Sequence, residues 1–91
     1  TTHFNQDISL WNVGNVIDMS AMFNRSVFNQ NISNWNVNSV TNMNSMFVRA
    51  TLFNQDLSAW NVNPNVTSCG SFDSLASSWT LPKPNFTSCT I

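Results

Sequence analysis

The feature that most restricts the fold of this chain is a six-residue phrase that occurs three times. Phe-Asn-Gln-Asp-Ile-Ser fills residues 4–9 and returns, with one substitution each time, at residues 28–33 and 53–58. Each copy is followed by Trp-Asn-Val, and the copies begin 24 and then 25 residues apart. A period in the twenties is typical of coils that stack, because one coil alone cannot bury its apolar face.

Large apolar residues recur at seven positions of each coil. We expect these side chains to point inward and to stack on their own kind in an aromatic-rich core. The sets are Phe4/Phe28/Phe53, Ile8/Ile32/Leu57, Trp11/Trp35/Trp60, Val13/Val37/Val62, Val16/Val40/Val66, Met19/Met43/Cys69 and Met22/Met46/Phe72.

The predicted fold is a β-rich solenoid that forms one domain. Its Val-x-x-Met segments predict short strands in a parallel sheet along the stack, and the Ser-rich segments after them leave room for at most one-turn helices. Only two glycines are present, so Asn is expected at positions of positive φ. The domain covers residues 1–91, with coil 1 at 4–27, coil 2 at 28–52, coil 3 at 53–78 and a shortened C-terminal coil at 79–91.

Composition excludes several classes of partner. The chain has 16 Asn and 13 Ser but only seven charged side chains, and its net charge is −1. Nucleic acid and anionic membrane surfaces are therefore poor partners. No apolar run approaches the ~18 residues that a membrane-spanning helix needs, so no membrane insertion is expected.

Residue patterns of catalytic sites are missing from the sequence. The only histidine is His3, and the two cysteines have no further metal ligands at suitable spacing. Asp7 and Asp56 are interpreted as turn carboxylates, with calcium binding as the alternative. The serines have no neighbouring base. The chain is therefore not expected to be an enzyme, and N-linked glycans are the only attached groups foreseen.

Two cysteines end matching segments of the chain. Asn-Val-Thr-Ser-Cys at residues 65–69 is echoed by Asn-Phe-Thr-Ser-Cys at residues 85–89. In a shortened last coil, Cys89 would lie directly above Cys69 at the ~5 Å spacing of adjacent strands, which a disulfide can bridge. We therefore predict a Cys69–Cys89 disulfide in an oxidising compartment. Two buried thiols that replace Met are the alternative.

The repeated residues resemble the repeat of the BspA-like surface proteins, which are relatives of leucine-rich-repeat proteins on bacteria, mycoplasmas and some protists. The resemblance rests on Phe-Asn-Gln-Asp-Ile-Ser, Trp-Asn-Val, Val-x-x-Met and Met-Phe, and it extends from residue 4 to about residue 75. It implies a leucine-rich-repeat-like solenoid that is secreted or displayed at the cell surface, with a role in adhesion or in a surface coat. The pattern ends after Ala76, where a Pro-containing segment replaces a regular fourth copy.

Four asparagines stand in N-glycosylation sequons: Asn24, Asn31, Asn65 and Asn85. Composition alone would give a similar number, so the count carries no weight. Position is more informative, because Asn65 and Asn85 are followed by Thr, precede the two cysteines and are expected to stack on one face. We predict glycans on this pair first and then on Asn31 and Asn24, provided that the host is a eukaryote that secretes the chain.

The chain begins within the repeat pattern, since Thr2-His3 stands where Val27 and Leu52 close the later coils. Coil 1 is therefore expected to expose unpaired backbone groups and the apolar ends of the stacks. Phe4, Ile8 and Trp11 are the candidate residues of this self-association edge.

Exposed edges of this kind invite another chain to add on. A head-to-tail contact that does not close produces a filament. The leading hypothesis is therefore an extracellular structural module that associates with copies of itself into a surface filament coated with N-linked glycans.

The alternative is a monomeric module for surface adhesion or ligand binding. Its regular Asn and Ser face would then contact glycans or proteins of a host or of the cell surface. Recognition of ice or carbohydrate by polar ladders is a weaker hypothesis. Ice would favour a ladder of Thr, but the position of Thr41 holds Ile17 in the preceding coil.

Overall fold

The computed structural model describes residues 3–91, so the predictions about the first two residues lie outside it. Within this range the backbone consists of turns and extended connections, with neither a helix nor a strand longer than one residue. The β-type pairing is parallel and joins Asp18 to Asn42 and Asn42 to Ser68. The predicted short strands are thus reduced to one bridge residue per coil, and turns occupy the positions that had room for a helical turn.

Hydrogen bonds between the coils follow a fixed register. After each bridge residue, alternate N–H groups of one coil donate to carbonyl groups of the next coil at 2.7–2.9 Å. The coils therefore lie parallel, and each satisfies the backbone of its neighbour. The pairs are Met19–Asn42, Ala21–Asn44, Phe23–Met46 and Arg25–Val48 between coils 1 and 2, and Met43–Ser68, Ser45–Gly70, Phe47–Phe72 and Arg49–Ser74 between coils 2 and 3.

Residues of positive φ are set by this register and not by local preference. Six residues have φ between 55° and 61°, and none of them is Asn or Gly, so the prediction that Asn would take these positions is wrong. Each lies third in a turn closed by a backbone hydrogen bond, and the left-handed conformation costs about 1 kcal/mol for such residues. They are Ala21, Arg25, Ser45, Arg49, Ser71 and Leu75.

Burial of the seven apolar stacks depends on the coil. In coils 2 and 3 every member is at most 4% exposed. In coil 1, by contrast, Phe4, Val16 and Met22 are only partly buried and Trp11 is 55% exposed. The rings do stack as expected, since Phe28 lies 5.9 Å from Phe4 between ring centroids. The difference arises because no other coil covers the outer side of coil 1 in the described structure.

A ladder of asparagine side chains runs beside the aromatic stack, and the sequence reasoning missed it. The Asn5 Oδ1 atom accepts a hydrogen bond from the Asn29 N–H at 2.8 Å. The Asn29 Oδ1 atom in turn accepts from the Asn54 N–H and from the Gln55 Nε2 atom, both at 2.9 Å. The spacing of these asparagines equals the repeat, and this was the signal that could have identified the ladder.

The substitution Asn29→Ala tests the ladder, because it removes the oxygen that accepts two donors from coil 3. We expect the free energy of unfolding to fall by about 1–3 kcal/mol, measured by urea denaturation at neutral pH. Asn29→Asp is the matched control, since a carboxylate oxygen can accept the same two hydrogen bonds. An equal loss in both variants would contradict a stabilising role of this oxygen.

Candidate functional site

The outer face of coil 1, called the head face here, is an open apolar surface. It contains a pocket of 200 Å³ lined by Phe4, Ile8, Trp11, Met22, Phe23 and Ser26. The three residues predicted as a self-association edge therefore lie together. Ile8 is only 3% exposed and forms part of the pocket wall, whereas Trp11 projects to solvent.

Two further apolar side chains surround this end of the molecule. Leu10 is 93% exposed and Ile17 is 60% exposed. Coils 2 and 3 carry smaller or more polar residues at the same positions, so at these two positions a large apolar side chain occurs only in coil 1. The counterparts are Asn34 and Ala59 for Leu10, and Thr41 and Thr67 for Ile17.

The head face also presents backbone acceptors. Within residues 3–91, four carbonyl groups of coil 1 accept no hydrogen bond, although their counterparts in coils 2 and 3 all accept one from the preceding coil. This edge can therefore receive N–H donors in the register used inside the stack. The four are the carbonyl groups of Asp18, Ser20, Met22 and Asn24.

The outer face of coil 3, called the tail face here, has the opposite polarity. In coils 1 and 2, N–H groups at three matching positions donate to carbonyl groups of the next coil. In coil 3 these positions are held by Ser71, Asp73 and Leu75. Here they donate to no group of the described chain. The residues Ser71 and Leu75 are exposed to solvent.

The C-terminal segment, residues 79–91, covers part of the tail face. The Leu57 N–H donates to the Pro82 carbonyl at 2.9 Å, and the Trp79 indole is buried on coil 3. Asn63 binds this segment twice: its Nδ2 donates to the Asn85 carbonyl and its Oδ1 accepts from the Thr87 N–H. The segment thus covers part of the tail face, but it accepts no hydrogen bond from the N–H groups of Ser71 and Leu75.

Cys69 and Cys89 are joined by a disulfide in the structure, with Cα atoms 5.9 Å apart. Phe86 packs against Phe72 near this bond, with ring centroids 5.0 Å apart. The match of residues 85–89 to residues 65–69 beyond the two cysteines stays a prediction.

The four sequon asparagines differ in environment. Asn31, Asn65 and Asn85 are exposed, whereas the Oδ1 atom of Asn24 is buried without a hydrogen-bond partner in the described chain. The Asn65 Nδ2 atom donates to the carbonyl of Asn38, while Asn85 lies against Asn63 of another turn. Asn63 is the counterpart of Asn38 in the next coil, and the stacking of Asn65 and Asn85 on one face stays a prediction.

A polar groove of 330 Å³ runs along the side of coils 1 and 2. It is lined by Asp7, Ser9, Gln30, Asn31, Ser33 and Asn34. Within residues 3–91 no group of three or more His, Cys, Asp and Glu residues is placed to hold a metal ion. Among these residues there is also no helix long and apolar enough to cross a membrane.

The interpretation of Asp7 and Asp56 as turn carboxylates is confirmed. Their Oδ1 atoms accept the N–H groups of Ser9 and Ser58 at 3.0 and 2.9 Å. The Ser9 N–H, with its hydroxyl group second, lowers the pKa of Asp7 below the ordinary value of 3.8. For Asp56 the Ser58 hydroxyl lowers the pKa most, and the N–H adds to it. The uncharged Asn31 makes the same turn, since its Oδ1 atom accepts the Ser33 N–H at 2.9 Å.

These lowered pKa values predict an acid-sensitive stability. A carboxyl group with a lower pKa in the folded state stabilises the fold above its unfolded pKa, and the effect is lost as the pH falls through the folded pKa. The free energy of unfolding should therefore be level from pH 7 to about pH 5 and decline below about pH 4. The double variant Asp7→Asn/Asp56→Asn should decline less steeply in urea denaturation across that range. A slope identical to that of the unaltered protein would contradict this assignment.

The repeat region matches a known family of proteins. The family model described as "Mycoplasma protein of unknown function, DUF285" covers residues 1–83, which include all three coils and leave out Cys89. No curated protein and no solved structure matches the chain. On the extent of the family match, the chain belongs to the DUF285 family of Mycoplasma proteins of unknown function.

Proposed function

We propose that the chain is an extracellular structural repeat module, a leucine-rich-repeat-like solenoid of the BspA type, that associates head to tail with copies of itself into a surface filament. The observation that carries this proposal is the complementary polarity of its two ends. The head face presents carbonyl acceptors and the tail face presents N–H donors, both without partners in the described chain. Unpaired edges of this kind recruit a further chain by backbone hydrogen bonding.

Only one orientation of two copies uses these groups. Two head faces would bring carbonyl group against carbonyl group, and two tail faces would bring N–H against N–H. A head face on a tail face repeats the register found between coils 1 and 2, and each added hydrogen bond contributes about 0.5–1.5 kcal/mol. The pairs would be Ser71 with Ser20, Asp73 with Met22 and Leu75 with Asn24.

The apolar side chains of coil 1 support the same arrangement. The exposed Trp11 indole has counterparts in Trp35 and Trp60, whose Nε1 atoms donate to carbonyl groups of the preceding coil at 3.0 Å. Docking of another copy would bury Trp11 and the pocket beside it, and burial of such a side chain is worth about 1.5–3 kcal/mol. The head face therefore gains both hydrogen bonds and apolar contacts from a partner.

An extracellular setting is supported by the disulfide and by the family. Cys69 and Cys89 are bonded, and disulfides persist in oxidising compartments. Asn31 and Asn85 are exposed and lie away from the pocket of the head face. A glycan on Asn31 would coat the flank of a filament, whereas a glycan on Asn85 would lie beside the tail face, because Asn85 belongs to residues 79–91.

The substitution Trp11→Glu tests the head face. It places a charge where the tail of a second copy would dock, so the self-association seen by sedimentation velocity and the filaments seen by electron microscopy should be lost. Leu52→Glu is the matched control, because Leu52 is 51% exposed, close to the 55% of Trp11, but lies outside the head-face pocket. It should associate like the unaltered protein.

Filaments that persist in Trp11→Glu would refute docking at the head face. Loss of assembly in both variants would also count against the proposal, because the effect would then follow charge and not position. Near-ultraviolet circular dichroism of each variant shows that the aromatic core is intact before association is compared.

A second candidate function is that of a monomeric adhesion module. The observation that favours it is the polar groove beside Asp7 and Asn31, where amide, hydroxyl and carboxylate groups converge. Hydrogen-bonding side chains in a shallow groove suit a carbohydrate ligand. A protein that stays monomeric at high concentration and binds immobilised glycans, with loss of binding in Gln30→Ala, would favour this function over self-association.

A further inference from the structure

We propose that the C-terminal segment, residues 79–91, is a plug that occupies the docking site for the next copy. A second copy then continues the stack only after the plug has left the tail face. This inference rests on the proposed head-to-tail association and adds the element that controls it. The competing occupant is the head face of a second copy of this chain.

Trp79 takes the place that the Phe4 of an incoming copy would occupy. Inside the stack, Phe28 and Phe53 each precede the asparagine whose N–H donates to the ladder oxygen of the preceding coil, and Trp79 precedes Thr80, whose N–H does the same. On the tail face, the Nε1 atom of Trp79 donates to the Gln55 carbonyl at 2.9 Å. Its ring is 5% exposed and packs against coils 2 and 3, with centroids 4.8–5.7 Å from those of Phe47, Phe53 and Phe72.

The plug also occupies the end of the asparagine ladder. In coils 1 and 2 the ladder oxygen accepts the N–H of the next asparagine. On the tail face the Asn54 Oδ1 atom accepts the N–H groups of Thr80 and Leu81 instead, at 2.9 and 3.0 Å. An incoming Asn5 N–H therefore finds its acceptor already taken.

The plug does not continue the asparagine ladder toward a further coil. Thr80 stands at the position of the next ladder asparagine and has no carboxamide oxygen to accept a hydrogen bond. The plug also leaves the N–H groups of Ser71, Asp73 and Leu75 without partners in the described chain. A second copy could pair these groups, so it would satisfy more of the tail face than the plug does. The plug has the advantage of a high effective concentration at the tail face, because it belongs to the same chain.

The disulfide fastens the plug at its far end. Cys89 is bonded to Cys69, Phe86 packs on Phe72, and the Lys83 Nζ atom lies 3.7 Å from the Asp73 Oδ2 atom in a partly exposed ion pair. A dithiol reductant transfers two electrons and two protons to the S–S bond, which yields two thiols while the reductant becomes a cyclic disulfide. Reduction therefore removes the covalent tether and favours release of the plug.

The substitution Trp79→Ala tests the plug. The fraction of molecules with an open tail face limits the apparent affinity, so the Kd for self-association should fall by about tenfold or more. Sedimentation equilibrium measures it. Leu81→Ala is the matched control within the plug, because its side chain is 42% exposed and only its N–H binds the tail face. It should leave the Kd unchanged.

A second variant guards against misfolding of Trp79→Ala. Cys69→Ser/Cys89→Ser removes the tether and leaves the aromatic contacts in place, so it should tighten association in the same direction, as should dithiothreitol with the unaltered protein. Hydrogen exchange reports opening directly. The Leu57 amide, which is bonded to Pro82, should exchange faster in this variant, whereas the Trp60 amide, bonded within its own coil, should not.

The outcomes separate the two proposals. If the unaltered protein associates and neither Trp79→Ala nor the cysteine variant associates more tightly, the plug is refuted and the head-to-tail association stands. If all proteins stay monomeric at every concentration, the proposed function fails and the plug fails with it. Adding Trp11→Glu to Trp79→Ala should abolish the tighter self-association, because the charge at residue 11 would prevent a head face from docking on the uncovered tail face.

Discussion

Each coil of this protein depends on the next one for two things at once, hydrogen-bond acceptors for alternate N–H groups and cover for its large apolar side chains. Neither need can be met within a coil that has only turns and single bridge residues. Phe28 illustrates the dependence, since it is fully buried between Phe4 and Phe53 at 5.9 and 6.1 Å between ring centroids. The stability of such a stack is the sum of its interfaces and not a property of a single coil.

The asparagine-rich composition follows from the same constraint. A chain without helices or strands needs side chains to satisfy its backbone, and a carboxamide oxygen supplies an acceptor at little cost in volume. Asn5 and Asn29 serve the next coil in this way, while Asn12 and Asn36 close turns with N–H groups two residues ahead. Asparagine is thus used for its side-chain oxygen, and the left-handed backbone falls on Ala21, Arg25 and their counterparts because inter-coil bonding fixes it there.

The repeat spacing made the stacks predictable, because residues one period apart must meet when coils are parallel. It gave the buried positions of coils 2 and 3 and the pairing of Cys69 with Cys89. Two features could not be read from it. The reduction of strands to bridge residues depends on turns that interrupt every extended run, and the contacts of Phe86 and Asn63 depend on packing where the repeat has ended. Periodicity predicts contacts only where the period continues.

The asymmetry of the two ends also follows from parallel stacking. After each bridge residue the N–H groups donate forward, so in this part of the coil the first coil keeps free acceptors and the last keeps free donors, whatever the side chains are. Side chains decide how each end meets solvent. Coil 1 leaves Leu10 and Trp11 exposed, while the tail face carries Trp79 and a disulfide from a segment that lies largely beyond the family repeat. Among the described residues, coil 1 is thus left uncovered and coil 3 is partly covered by residues 79–91. Under the proposed head-to-tail association, growth of the stack would be governed at the tail.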